Sequence, residues 1–155
     1  MCNLFIVDCS SDDWNDLTDV DLVASSRWSS SYDVENIKRP DSECWHSGDQ
    51  NSQWITFEFP NPVAITGVRY KADDSWDSIF KNFTFEYSND GGATWESFHQ
   101  GQGVNLECCE WEEVNLTMSP TAEDFRLYMI DSWKNSWFTI EQLQLKTCGG
   151  KNNST

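Results

Sequence analysis

Cysteine, tryptophan and histidine stand side by side at Cys44, Trp45 and His46, within the stretch CWHSGDQNSQWITFEF. A thiol next to an imidazole has the composition of a cysteine nucleophile or of a metal site. Such a nucleophile also needs a third group to orient the base, and the other histidine, His99, lies far away in the sequence. No Cys-x-x-Cys pair occurs, which argues against a zinc ribbon. The sequence therefore favours a structural role for these three residues.

Carboxylates are the second group that could do chemistry. The chain has 26 Asp and Glu against 10 Lys and Arg, a net charge of -16, which disfavours nucleic acid and anionic membranes as partners and favours cations such as Ca²⁺. One acidic run lacks the glycine and closing Glu of an EF-hand loop, so a solvated acidic face is favoured there: Asp12, Asp13, Asp16, Asp19 and Asp21. No two carboxylates stand out as the pair that glycoside hydrolysis needs, so we predict a non-enzyme and keep a glycan hydrolase as the alternative.

Aromatic residues in polar segments point to a different chemistry, the stacking of a sugar ring on an exposed side chain. They occur in SRWSSSYD, DDSWDS and DSWKNSW: Trp28, Tyr32, Trp76, Trp133 and Trp137. We predict that the loops 28–41, 71–82 and 132–137 converge at one end of the fold. Trp76 is predicted to be the stacking surface, with Tyr32 or Trp137 beside it. The predicted polar contacts are Arg39, Asp41, Asp77 and Asn135.

The elements that must hold these loops are β-strands. In QWITFEF the apolar residues Ile55, Phe57 and Phe59 fall on one face and Trp54, Thr56 and Glu58 on the other, and FTFEY and DFRLYMI alternate in the same way. Further strand candidates are VDLVASS, VAITGVRY, TWESFHQ, EEVNL and FTIEQLQLK. About eight short strands at regular spacing predict an all-β sandwich or jelly roll. The run SNDGGATW predicts a tight turn, and only SDDWNDLTDVDL has a spacing compatible with a helix.

The length and the cysteine count limit the number of domains and the cellular compartment. The 155 residues suit one domain, predicted over 1–148, with a flexible tail over 149–155. Six cysteines predict three disulfides in an oxidising compartment, or free thiols in the cytosol. Adjacent Cys108 and Cys109 are predicted to pair with distant partners rather than with each other. Sequons at Asn82, Asn115 and Asn153 favour secretion and glycosylation, although the opening MCNLFIV is too short for a complete signal peptide.

The segments VASSRWSSSY, CWHSGDQNSQWITFEF, ITGVRY, FTFEYSNDGGATW and RLYMIDSW…FTIEQLQLKTC occur in the order seen in discoidin-like domains, the C-type domains of coagulation factors V and VIII and their galactose-binding relatives. The resemblance covers about residues 20 to 148. It implies an eight-stranded jelly roll that binds sugars, lipid headgroups or proteins through loops at one end. It also implies that Trp45 is a core or wall residue, Cys44 half of a disulfide and His46 an edge residue.

Two further expectations follow from the resemblance. Many relatives join their first and last strands by a disulfide, which matches Cys9, or Cys2, with Cys148; Cys44 is then left to pair with Cys108 or Cys109. Many also hold a structural Ca²⁺, and Glu141 matches their last-strand Glu. We expect the ion to be bound by Glu141 with Asp33 and Asp41, although Lys38 and Arg39 stand where the relatives have Asp-Gly.

The resulting hypothesis is a non-catalytic, extracellular carbohydrate-binding or adhesion module whose partner is a glycan or glycoprotein. The alternative within binding proteins is a protein-interaction jelly roll inside a larger assembly with other protein subunits, intracellular if the thiols are free.

Overall fold

A computed structural model describes Cys9 and residues 14–40, 43–73 and 79–149. Within these residues the ordered elements are strands and two short 3-10 helices, Ser30–Tyr32 and Val34–Lys38. The strands are β1 (Trp14–Asn15), β2 (Asp21–Ala24), β3 (Trp45–His46), β4 (Gln53–Lys71), β5 (Asn82–Ser88), β6 (Glu96–Gln102), β7 (Trp111–Asn115), β8 (Ala122–Met129), β9 (Thr139–Ile140) and β10 (Gln142–Gly149). No helix in the described part of the chain is long and apolar enough to cross a membrane.

Strand β4 connects the two halves of the fold. Its first half, from Gln53 to Glu58, pairs with β8 on one side and β2 on the other. Its second half, from Val63 onward, pairs with β10 and β7. The register shifts between Glu58 and Val63, where Pro60 and Pro62 cannot donate ladder hydrogen bonds. Two expected strands, QWITFEF and VAITGVRY, are therefore one continuous strand with an irregular centre.

The remaining pairings complete an eight-stranded antiparallel sheet in the order β1-β10-β4-β8-β5-β6, with β2 and β7 on β4. The short strands β3 and β9 form a separate pair. The prediction of an all-β, eight-stranded jelly-roll sandwich is confirmed. The acidic run predicted as a possible helix contains β1 and a turn over its described residues.

The core consists of the apolar residues that alternate along the strands. Ile55, Phe57 and Phe59 on β4 are buried, as are Phe125, Leu127 and Met129 on β8. Phe83 and Phe85 of β5 contact each other edge to face, with ring centroids 6.2 Å apart. The period-two pattern of the sequence thus identified the face of each strand that packs inward.

The predicted turn after β5 is also confirmed. Gly91 and Gly92 have φ values of 70° and 89°, which glycine adopts without strain. The Asp90 carboxylate accepts hydrogen bonds from the Thr94 backbone N–H at 2.9 Å and from the Ser88 hydroxyl at 2.6 Å. These hydrogen bonds lower the pKa of Asp90 to about 2.

The cysteines agree with the sequence at one pair and disagree at another. Cys9 and Cys148 form the predicted disulfide between the start of the chain and the last strand. Cys108 pairs with its neighbour Cys109, so the prediction that Cys44 pairs with one of them is wrong. Cys109 has a φ of 77°, in the left-handed region. Cys2 lies outside the described residues.

Cys44 is a buried free thiol. Burial first, and the nearby Asp73 carboxylate second, raise the pKa of this thiol well above its usual range. A protonated, enclosed thiol is a poor nucleophile, which is consistent with a structural role for Cys44, although its predicted disulfide does not form.

The two sequons within the described residues differ in their surroundings. Asn82 donates its amide N–H groups to Asp131 at 3.0 and 3.1 Å, whereas Asn115 is exposed on β7. Glycosylation therefore remains a prediction, better supported at Asn115. At the other end of the chain, Gly149 belongs to β10 rather than to the predicted tail, and residues 150–155 lie outside the described residues.

Candidate functional site

Four aromatic side chains from three segments meet beside the β3–β9 pair: Trp28, Tyr32, His46 and Trp137. We call them the aromatic cluster. The Trp28 ring lies 5.2 Å from the His46 ring and 5.6 Å from the Trp137 ring, the latter edge to face. The Tyr32 ring lies 5.7 Å from the His46 ring. Trp28 is 57% exposed, so much of its indole is open to solvent.

Backbone hydrogen bonds fix Trp28 beside β3. The Trp28 N–H donates to the His46 carbonyl at 2.8 Å. Beyond it, the Ser29 hydroxyl caps the first 3-10 helix, which ends at Tyr32, and the Asp33 side chain caps the second. Ser and Asp are favoured at such positions because their oxygens accept backbone N–H groups that the helix leaves without partners.

A glycine allows the loop after β3 to approach this segment closely. A Cβ at Gly48 would lie 2.5 Å from the Arg27 carbonyl oxygen, so any other residue would force the two chains apart. The Gly48 N–H donates to the Ser26 hydroxyl at 2.9 Å, and the indole N–H of buried Trp45 donates to the Ser26 carbonyl at 3.0 Å. Trp45 is a core residue, as predicted, and it supports the loop that carries Trp28.

His46 and Trp137 are held by the pairing of β3 with β9. The Ser47 N–H donates to the Phe138 carbonyl, and the Phe138 N–H donates to the Ser47 hydroxyl, both at 2.9 Å. The His46 Nδ1 lies 2.7 Å from the Ser47 carbonyl oxygen. Because a carbonyl only accepts, Nδ1 carries the proton, which fixes the tautomer of the neutral ring and its orientation.

Two hydrogen bonds close the turn before Trp137. The Ser132 hydroxyl donates to the Ser136 carbonyl and accepts from the Ser136 N–H, both at 3.0 Å. Asn135 has a φ of 51°, a conformation that asparagine tolerates better than most residues, and its side chain is exposed. The Trp133 N–H donates to the Ile79 carbonyl at 3.2 Å, so the end of the loop 71–82 contacts this turn.

Some polar side chains near the aromatic cluster already form ion pairs or hydrogen bonds within the fold. Arg27 and Asp33 form an ion pair, and the Asp33 carboxylate also accepts the Glu35 N–H at 3.1 Å. Arg39 follows the second 3-10 helix and is exposed. Of the predicted ligand-binding residues, the structure thus brings together Tyr32 and Trp137 and places Asn135 in the adjoining turn. The others, Asp41, Trp76 and Asp77, lie outside the described residues.

The calcium expectation fits the described residues only in part. Glu141 fits, because its Oε2 is buried without a hydrogen-bond partner. Asp33 does not, because its oxygens are already bound to Arg27 and Glu35. Lys38 places its ammonium 2.7 Å from the Val20 carbonyl and 2.9 Å from the Glu35 carboxylate, so a positive charge already occupies this loop. Within the described residues, no cluster of three or more His, Cys, Asp and Glu side chains forms.

Two members of the aromatic cluster differ from the sequence prediction. The sequence predicts Trp76 as the stacking surface and an edge position for His46, whereas Trp28 and His46 lie together in the structure. Small polar residues flank Trp28 on its C-terminal side in RWSSSY, a signal of exposure as strong as the one around Trp76. No local signal reveals that His46 and Trp137 are neighbours, because that contact depends on the β3–β9 pairing.

Comparison with known proteins provides a family match. The model of the F5/8 type C domain matches residues 21–143. Curated protein sequences provide no match.

Solved structures share the fold at low sequence identity. A family 32 CBM from C. perfringens NanJ, solved with galactose, has a TM-score of 0.70 and 12% identity over 85% of this chain and 96% of that one. A Clostridium perfringens CBM32 solved with GalNAc-β-1,3-galactose has a TM-score of 0.73 and 12% identity over 86% and 99%. Chitosan-binding module 2 of a Paenibacillus sp. IK-5 chitosanase/glucanase, solved with chitotriose, has a TM-score of 0.68 and 16% identity over 85% and 99%.

Proposed function

Because this chain belongs to the F5/8 type C domain family, we propose that it is a non-catalytic carbohydrate-binding module that binds a neutral glycan at the aromatic cluster. The observation that carries the proposal is the exposed indole of Trp28, held edge to face against Trp137. An exposed indole offers the flat apolar surface on which the C–H face of a pyranose packs. The structural neighbours with bound sugars support the ligand class.

The polar rim provides the hydrogen bonds that would orient the sugar. Asn135, in the turn before Trp137, and Arg39, after the second 3-10 helix, are exposed and can form hydrogen bonds with sugar hydroxyl groups. Trp76, Asp41 and Asp77 remain proposed contacts. An open site of this size should bind one or two sugar units with a dissociation constant of about 1 mM, or about -4 kcal/mol. Useful avidity then requires several copies of the module.

The test is Trp28→Ala, titrated with galactose, GalNAc-β-1,3-galactose and chitotriose by isothermal titration calorimetry. We expect binding of the preferred sugar to fall at least about 10-fold while the melting temperature stays close to that of the parent, because Trp28 lies at the surface. The matched control is Trp54→Ala, which removes a half-buried tryptophan of β4 and should leave binding unchanged. Intact binding by folded Trp28→Ala protein would contradict the proposed site.

The alternatives are outcomes of related measurements. Release of product from any of these glycans would identify a hydrolase, and a stoichiometric complex with another protein subunit, without glycan binding, would identify an interaction module. We also propose secretion, supported by the Cys9–Cys148 disulfide, since such bonds persist in oxidising compartments. Peptide mapping of the protein from its native source, without reduction, tests this proposal.

Calcium is a secondary proposal that rests on Glu141. A hard oxygen ligand that is buried without a partner suits Ca²⁺, and a bound ion would stabilise the folded state by mass action. We expect the melting temperature to rise with millimolar Ca²⁺ relative to a chelator, and Glu141→Gln to abolish the difference. Equal melting temperatures for the parent protein in both conditions would exclude the site.

A further inference from the structure

A row of alternating cationic and aromatic side chains crosses the outer face of strands β1, β10, β4 and β7. We call it the cationic stripe, and its members in spatial order are Lys146, Trp14, Arg69, Trp111 and Lys71. The Arg69 guanidinium carbon lies 4.8 Å from the Trp14 ring centre and 4.6 Å from that of Trp111. The Lys71 ammonium lies 5.0 Å from Trp111, and that of Lys146 lies 5.7 Å from Trp14.

Strand register places these side chains on one face. Trp14 pairs with Lys146, Gln144 with Arg69, and Lys71 with Trp111. Residues two apart on a strand share a face, so Arg69 and Lys71 point outward while Val68 and Tyr70 are buried.

Gly67 lies on the same face, two residues before Arg69. A Cβ there would contact Trp14 Cη2 at 3.5 Å and Lys146 Cβ at 3.4 Å. These are ordinary van der Waals distances, and they show that Trp14 and the Lys146 stem lie against the backbone at Gly67.

Arg69 is held in place by a hydrogen bond and two aromatic contacts, and its Nη donors remain available. Its Nε donates to the Gln144 side-chain carbonyl at 2.6 Å, and the two indoles flank its plane. Stacking uses the faces of a guanidinium and leaves its in-plane Nη donors available. Within the described part of the chain, neither Arg69 nor Lys71 forms an ion pair with a carboxylate. On a chain with only 10 Lys and Arg and a net charge of -16, three cations in one row form an unusual concentration of positive charge.

We propose that the cationic stripe is a second binding site, which takes a carboxylate or sulfate group of an acidic glycan. Arg69 would bind the anion bidentately through its fork, with Lys71 and Lys146 as flanking charges. Because the indoles and Gln144 already restrict Arg69, little side-chain entropy remains to be lost on binding. The choice of a glycan over an acidic peptide rests on the proposed function, but the site shares no residue with the aromatic cluster.

One carboxylate opposes this site. Glu113 pairs with Arg69 across β7 and β4 and is exposed on the same face. It is close enough to repel an anion, and Glu113→Gln should therefore tighten binding. Acidic groups more than about 8 Å from the stripe are largely screened by salt at physiological strength.

The experiment is a calorimetric titration at physiological salt with an oligogalacturonate, which carries carboxylates, and with a sulfated heparin-derived hexasaccharide. We expect Arg69→Gln to weaken binding of the preferred probe at least about 10-fold. Arg69→Lys, which keeps the charge and loses the fork, should fall between the parent and Arg69→Gln. The protein should carry Asn115→Gln, because a glycan at Asn115 would border the stripe on the same face.

The control with the same change of charge is Arg27→Gln, beside the aromatic cluster, and it should leave binding of the acidic probe unchanged. Trp28→Ala should also leave it unchanged, so failure of the neutral-sugar site and failure of the stripe are distinguishable. Acidic-glycan binding that responds to Arg27→Gln and not to Arg69→Gln would overturn the proposal, as would no binding of either probe. Equal binding of a poly-glutamate peptide of the same charge would overturn the choice of a glycan. If Arg69→Gln fails to fold, Lys71→Gln provides the same test.

Discussion

Arg69 and Arg126 occupy similar settings on the outer faces of the two halves of the sheet. Of the two, only Arg126 forms an ion pair with a carboxylate among the described residues. Each guanidinium packs over two aromatic rings, Arg126 at 4.7 Å from Trp95 and 5.6 Å from Tyr128. Arg126 also forms an ion pair with Glu86 at 2.6 Å, with side-chain exposures of only 22% and 11%. Arg69 has a neutral amide in the corresponding role, Gln144.

The difference separates two uses of a stacked arginine. The carboxylate of Glu86 compensates Arg126 inside the fold, so this pair serves the cohesion of β5 and β8. Arg69 forms no ion pair with the described residues, although Glu113 lies opposite it on the same face. Aromatic stacking alone therefore does not distinguish the two arginines, whereas a direct ion pair does.

The largest expected effect on stability concerns the disulfide that anchors β10, a strand of the face that carries Arg69. The Cys9–Cys148 disulfide closes a loop with a sequence separation of 139 and anchors β10. Replacing both cysteines by serine should lower the free energy of unfolding by about 4 kcal/mol in the chain-entropy model. Urea unfolding measures the loss. Hydrogen exchange should show faster opening of β10 than of β5 and β8, and equal acceleration in all strands would show that the two faces unfold as one unit.

The next effect isolates the ion pair of Arg126. Glu86→Gln leaves a mostly enclosed guanidinium without its counter-charge, and we expect a loss of about 2 kcal/mol, less than for a fully buried pair because both side chains retain some exposure. The double variant Glu86→Gln/Arg126→Gln should recover part of the loss, which a double-mutant cycle in urea quantifies. A single variant as stable as the parent would remove the distinction between the two arginines.

The loss of stability from the corresponding change at Arg69 should be smaller. Arg69→Gln removes two cation–π contacts at a partly exposed site and should cost about 1 kcal/mol. Gln144 keeps a possible amide partner in the variant. A loss as large as that of Glu86→Gln in the same urea experiment would mean that Arg69 is chiefly structural.

The smallest effect concerns the turn that leads to Trp95, one of the rings under Arg126. The pKa of Asp90 is lowered to about 2 from 3.8 by its hydrogen bonds to Ser88 and Thr94. Its stabilising contribution is therefore complete above pH 3.8 and is lost as the pH falls toward 2. Asp90→Asn should flatten the pH dependence of stability in this window, as measured by thermal unfolding. An unchanged profile would show that the turn does not depend on this carboxylate.

Local features were predictable because their causes are local. The alternation of Ile55, Phe57 and Phe59 reports which face of β4 is buried, since successive side chains of a strand point to opposite faces. Gly91 and Gly92 predict their turn because few other residues adopt positive φ without strain. The Cys9–Cys148 pairing followed from the family resemblance rather than from spacing, since six cysteines allow many connectivities.

Features that depend on distant pairings were decided only by the tertiary structure. Cys108 pairs with its neighbour instead of with Cys44, and Cys44 is enclosed beside Asp73 instead of bridged. The aromatic cluster depends on the β3–β9 pairing, and the cationic stripe on the registers of β1, β10 and β7. The sequence by itself determined the strands, their inward faces and the acidic surface. The neighbours of each outward-facing side chain were determined by register, which no stretch of sequence encodes alone.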